Sequence, residues 1–195
     1  MARALLLMFD LYLRPGELYD IRVGNLAPPV AAGGPSTRHW ALTVRLFEGG
    51  RLARSGAFDD TVVLDHPSRL FLGTILEGLT SGRGREQLLL PAASPRDFPR
   101  EFQKSAKHLG LNLVPYQARH GGASEDKAAG TRSLMEIKKR GRWQAEASVR
   151  RYEKHGKLAA RLSRLTAGQR EHLQLCAAQI SGILMLTVSP PVFTA

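Results

Sequence analysis

The chain has 195 residues, a formal net charge of +11 and a pI near 10.5. Its 43% hydrophobic and 23% charged residues give the composition of a globular protein with room for one well-cored domain, and its apolar runs are too short to span a bilayer. The single Cys176 excludes an intrachain disulfide and a cysteine metal cluster, and it fits a reducing intracellular setting in which that residue is a small packing group.

Residues 2 to 13 are apolar nearly all round and predict a buried helix; the run stops at Asp10 with no small-residue cleavage site, so it does not read as a leader. Pro15 fits the first turn of a second short helix and puts Arg14 at a helix junction. The stretch APPVAAGGPS from Ala27 is a loop. WALTVRLF from Trp40 and TVVLD from Thr61 read as two strands of a hairpin whose turn, EGGRLARSGAFDD, carries Arg54. Helices follow over Arg69 to Leu79 and over the stretch DFPREFQKSAKHLGL, with Gly110 as a C-terminal stop. Val114-Pro115 opens another that holds Tyr116, Arg119 and His120, with Gly121 and Gly122 permitting a close backbone approach. Further helices fit Thr131 to Lys139, Ala145 to His155 and Ala167 to Leu186, and the tail SPPVFTA cannot continue the last. The fold class is mainly α with a small antiparallel β-hairpin, an α+β arrangement.

A surplus of +11 raises the potential over much of the surface and favours a polyanion, with nucleic acid the commonest. The basic residues cluster in RGRWQAEASVRRYEKHGK, where Tyr152 lies among Arg142, Arg150, Arg151, Lys154 and Lys157. Lys138 and Lys139 belong to the adjoining KKRGR, which also has the composition of a nuclear-import patch. The six histidines lack metal-ligand spacing, and AAGGPS lacks the strand-to-helix context of a phosphate loop.

Taken in order, LYLRPGEL, RSG on a hairpin, YQARH, and GRW with a tyrosine nine residues after the tryptophan resemble the catalytic domain of the tyrosine recombinases, the phage-integrase family. The resemblance covers roughly residues 1 to 157, without the helical core-binding domain that usually precedes it, and leaves 158–195 as a helical extension and irregular tail. It implies that Arg14, Arg119 and Tyr116 bind a DNA phosphate, with Trp143 packed against it or donating its indole N–H. Tyr152 would then attack phosphorus to give a 3′-phosphotyrosyl bond and a free 5′-hydroxyl. Two rigid guanidinium groups suit the charge on the non-bridging oxygens of that transition state. A free phenol is a weak nucleophile at neutral pH, so neighbouring cations are expected to favour the phenolate. Glu17 would support Arg14, and His120 would orient its loop or bond a backbone carbonyl.

Lys138, Lys139, Arg142, Arg150, Arg151, Lys154 and Lys157 would contact flanking phosphates, giving affinity without sequence choice. The implied partner is double-stranded DNA, bound by a homo-multimer, with no cofactor, metal, membrane or small-molecule substrate. The compartment would be the nucleus in a eukaryote, or the cytoplasm and nucleoid in a bacterium.

The family carries a lysine on the hairpin to protonate the departing 5′-oxygen, and here that position is Arg54. No lysine occurs between Met1 and Glu101, and arginine holds its proton too tightly to be a good acid. A decayed or domesticated recombinase that only binds DNA is therefore the alternative, and a basic RNA-binding or ribosome-associated protein is a third. The helix from Ala167, apolar at Leu173, Leu175, Ile180, Ile183 and Leu184, packs in cis or docks on a neighbouring protomer.

Overall fold

The computed structural model describes residues 1–34, 37–44, 61–153 and 155–192. It is mainly helical, with a small antiparallel sheet. Helix α1 (Ala2–Asp10) runs into a turn and α2 (Pro15–Tyr19); strand β1 (Leu26–Ala27), β2 (Ala41–Thr43) and β3 (Thr61–Val63) follow. Then come α3 (Leu72–Thr80), α4 (Asp97–His108), α5 (Tyr116–Ala128), α6 (Leu134–Arg140), the single turn α7 (Ala147–Arg150), α8 (His155–Leu162) and α9 (Ala167–Leu184).

The first helix stops three residues earlier than its apolar pattern predicts. Tyr12 takes a left-handed backbone angle, φ 50°, which an α-helix cannot continue and which costs a non-glycine residue about 1–2 kcal/mol. The hairpin is present as β2 paired with β3, with Leu42 opposite Val62. It gains a third strand where the predicted loop begins: Ala27, the first residue of that loop, pairs with Ala41, and Leu26 just before it pairs with Leu42; two residues are too few to display an alternating pattern. The helix expected from Arg69 begins at Leu72, after a one-turn 3-10 helix (Pro67–Arg69) capped by His66, whose ring Nδ1 accepts from the Ser68 N–H at 3.2 Å. Helix α6 begins later than expected because Ser133 caps it, accepting from the Glu136 N–H while the Glu136 carboxylate accepts from the Ser133 N–H. The single helix expected over Ala145 to His155 is instead α7 and a 3-10 turn (Arg151–Glu153), with α8 as a separate helix.

The main core joins α1, the sheet and α3: Leu7, Met8, Leu11, Leu42, Val62, Leu72 and Leu76 are buried together. A second cluster sits between α5 and the segment that follows α6, and is built from Tyr12, Ala123, Ile137, Trp143, Val149 and Tyr152. The C-terminal half of α9 packs in cis. Leu184 is buried in the main core with Ile180 against it, and the Leu184 carbonyl accepts from Arg3 Nε at 3.0 Å. Leu173 and Leu175 at its other end are each 46% exposed, and Cys176 is half-buried beside His172.

The α1–α5 contact holds the two clusters together, and it depends on a small residue. A methyl group at Gly122 would overlap the Phe9 carbonyl oxygen, whereas one at Gly121 would press only on the Phe9 ring edge, 3.0 Å away. Gly122→Ala is therefore expected to cost about 1–3 kcal/mol by overpacking, read as a lowered thermal midpoint, with a smaller loss for Gly121→Ala. Equal effects would mean that α1 and α5 part freely.

Candidate active site

The turn from α1 to α2 supplies Arg14 and Glu17. Pro15 keeps Arg14 extended (φ −75°, ψ 151°), so its N–H faces back into α2 and donates to Glu17 Oε2 at 2.7 Å. The Arg14 side chain donates to Glu17 Oε1 at 2.9 Å and remains 40% exposed, while the Glu17 side chain is buried.

Arg119, one turn into α5, is 0% exposed. Its Nη1 donates to the Tyr12 carbonyl at 2.6 Å and lies 3.7 Å from Glu17 Oε2; its Nη2 donates to the Gly141 carbonyl. Its Nε has no hydrogen-bond partner among the described residues. The guanidinium lies 4.5 Å over the Trp143 ring, a cation–π contact made in a desolvated site. Gly141 makes that ring position possible, because a Cβ there would overlap the indole.

From Trp143 the aromatic contacts continue to Tyr152, 5.4 Å between centroids, and to His120, 6.2 Å and stacked. Tyr152 Oη and His120 Nδ1 are 2.5 Å apart. Tyr116 packs its ring edge against His120 at 4.8 Å and is exposed. The fold thus brings Arg14, Glu17, Tyr116, Arg119, His120, Trp143 and Tyr152 together from three separated segments. His120 differs from its expected role, since its ring bonds the Tyr152 phenol and not a backbone carbonyl.

Arg142 is the clearest correction. Instead of a phosphate contact on the surface it is buried, its Nη2 donating to Glu17 Oε2 at 2.8 Å and to the Tyr12 carbonyl at 3.3 Å, its Nη1 to the Arg140 carbonyl at 3.0 Å. A left-handed φ of 53° turns it inward. Of the other basic residues, Lys139, Arg150 and Arg151 are exposed and Lys138 is half-buried; Arg150 also reaches Glu146 at 3.5 Å. Arg54, Lys154 and the Lys157 side chain lie outside the described residues.

The electrostatics follow from burial. Burial raises the Glu17 carboxyl, but the charges of Arg142, Arg119 and Arg14 and the Arg14 N–H together outweigh it and hold the group below its usual 4.5. Burial lowers Arg119 to about 10, with the like charge of Arg14 adding to the shift. The expectation of a phenolate fails for the same reason. Burial pushes Tyr152 up to about 12, and the charges of Arg151 and Arg119 recover only part of the shift.

A second charged cluster, which the sequence pattern missed, lies beside this one. Arg69 reaches Asp10 at 2.6 Å and Glu125 at 3.0 Å, Arg132 reaches Asp126 at 2.9 Å and also bonds Asp65, and Arg140 reaches Asp10 at 3.3 Å. The Tyr12 phenol donates to Asp126. Possible ligand atoms of His66, Glu125 and Asp126 lie within 4.8 Å of one another, although the histidines show no ligand spacing in sequence. Arg69 and Arg132 already neutralise the two carboxylates, so the group reads as an ion-pair network and not a cation site.

Compared with known proteins, the chain matches no family model, no curated protein and no solved structure. No helix among the described residues is long and apolar enough to cross a membrane.

Glu17 offers a direct check on the site. Its depressed carboxyl contributes stability that is present above the unfolded value near 4.5 and is lost as pH falls through the lower folded value. Glu17→Gln should leave buried guanidinium groups without a carboxylate, cost about 3–5 kcal/mol at neutral pH, and flatten the acid limb of the stability profile. Denaturant unfolding across the acid range measures both effects.

Proposed function

We propose that the chain is the catalytic core of a DNA strand transferase of the tyrosine recombinase type. The observation that carries this reading is the convergence of Arg14, Arg119, Trp143 and Tyr152, in the order and spacing of that family, on one site that is buried except at Arg14. Arg14 is the accessible cation, and with Tyr116 and Arg151 it forms the exposed edge by which a DNA phosphate would arrive. Arg119 lies against the Trp143 indole, which also packs on the Tyr152 ring. Its unpartnered Nε supports the assignment, because a buried donor left unbonded costs about 1–3 kcal/mol that an anion would recover.

With the phosphate clamped, the Tyr152 oxygen attacks phosphorus and the 5′-oxygen departs, giving a 3′-phosphotyrosyl linkage that a second 5′-hydroxyl can reverse on another strand. The exposed Arg150, Arg151 and Lys139 would hold the flanking backbone. Each protomer would cut one strand, so the working unit is a homo-multimer on duplex DNA, inside the cell.

A second reading, a DNA-binding protein without turnover, is favoured by two observations. Tyr152 is 5% exposed and held protonated, and Arg54 replaces the lysine that the family uses as acid. A pool of random-sequence duplexes, each with a single nick, separates the two. The wild-type chain is expected to form a covalent adduct resistant to denaturant, and Tyr152→Phe to lose the adduct while keeping its salt-dependent binding. Salt-dependent binding with no adduct would establish the second reading.

Restoring the acid gives an independent check. Arg54→Lys is expected to raise strand transfer by about 10²–10⁴-fold, measured as joined product over time. An unchanged rate would remove residue 54 from the chemistry.

A further inference from the structure

A phenol at about 12 is ionised to roughly one part in 10⁵ at neutral pH, so attack by Tyr152 needs a base in contact with its proton. Among the described groups around it, Arg119 and Arg151 are cations with no lone pair to offer, and Trp143 has only a donor N–H. Tyr116 is itself a phenol, and it faces the His120 ring. The His120 ring is the remaining acceptor, with Nδ1 2.5 Å from the phenol oxygen.

We propose that His120 is a catalytic residue, the general base that takes the Tyr152 proton at Nδ1 as the phenol attacks phosphorus. This rests on the reading of Tyr152 as the nucleophile. The groups facing His120 are Arg119 and Tyr116 on its own helix, Arg151 and Tyr152 on the 3-10 turn, and the Trp143 indole. Burial first, then the charges of Arg151 and Arg119, hold the imidazole below its usual value, which keeps Nδ1 free to accept at neutral pH. The same cations make the imidazolium short-lived.

In the forward step the bond from Tyr152 Oη to phosphorus forms and the phenol proton passes to Nδ1. The bond from phosphorus to the 5′-oxygen breaks, and that oxygen keeps the electron pair and takes a proton from water at the exposed edge. In the reverse step a 5′-hydroxyl loses its proton to water as it attacks, and the imidazolium returns its proton to the departing Tyr152 oxygen.

The test uses random-sequence duplexes with sulfur in place of one bridging 5′-oxygen. A thiolate leaves without an acid, so Arg54 does not limit the rate. Adduct formation is followed in single turnover from about pH 5 to about pH 9, a window that spans imidazole titration. For the wild-type chain the rate constant should fall about tenfold per pH unit once the imidazole is protonated. His120→Gln, matched to wild type in circular dichroism and duplex binding, should be about 10²–10⁴-fold slower with that acid limb gone. Added imidazole should restore a large part of the rate to His120→Gly.

Adduct formation by His120→Gln at the wild-type rate, or with the wild-type pH profile, would overturn the inference and leave Tyr152 as nucleophile. A wild-type rate that does not change across the pH range would overturn it equally, even if the variants fail to fold. Absence of any adduct from the wild-type chain would overturn the reading of Tyr152 itself, and His120 with it.

Discussion

The site depends on the burial of more positive than negative charge around Glu17. Among the described residues, Arg14, Arg119 and Arg142 converge on this one carboxylate. Removing guanidinium groups from water is costly unless each has partners, and here backbone carbonyls of Tyr12, Arg140 and Gly141 supply most of them. Carbonyls provide hydrogen bonds but no neutralising charge. The protein therefore keeps a positive surplus in a low-dielectric pocket, and burial together with the neighbouring Arg14 lowers Arg119 to about 10.

The neighbouring network shows the opposite balance. Arg69, Arg132 and Arg140 face Asp10, Asp65, Glu125 and Asp126, so acids outnumber guanidinium groups by one. This cluster ties α1, the 3-10 turn before α3, α5, α6 and the end of the sheet together. Tyr12 connects the two: its phenol donates to Asp126, while its carbonyl accepts from Arg119 and Arg142. The left-handed backbone at Tyr12 lets one residue face both ways. The acid-rich network thus adjoins a cation-rich one, and it is the cation-rich one whose Arg119 lies beside Trp143 and Tyr152.

Much of this was legible in the sequence where a local rule governs it. Pro15 after Arg14 predicts the junction, Gly122 predicts close helix contact, and the spacing from Trp143 to Tyr152 places both on one short segment. Residues whose direction is set by distant partners were not legible. Arg142 and Arg151 look alike in a basic run, yet one is turned inward by its backbone and by Glu17, while the other is exposed. The acidic cluster was hidden for a similar reason: Asp10, Asp65 and Asp126 are far apart in the chain, and an isolated aspartate reads as surface. Tyr152 showed the limit of counting nearby charges, since five cations in sequence say nothing about how much water the phenol loses.

That loss of water bears on the proposed chemistry in two opposing ways. It raises the phenol to about 12 and so works against attack, which makes a base in direct contact more important than distant cations. It also keeps solvent from the oxygen that would carry the phosphotyrosyl bond, and so protects the linkage from hydrolysis until a second hydroxyl arrives. A strand transferase needs both, because a nucleophile ionised in the free protein would gain nothing if its covalent product were lost to water. On this reading the packing of Trp143 and His120 against Tyr152 is the feature that separates transfer from simple cleavage, while the cations around them bring the phosphate in and offset the charge that builds on its oxygens.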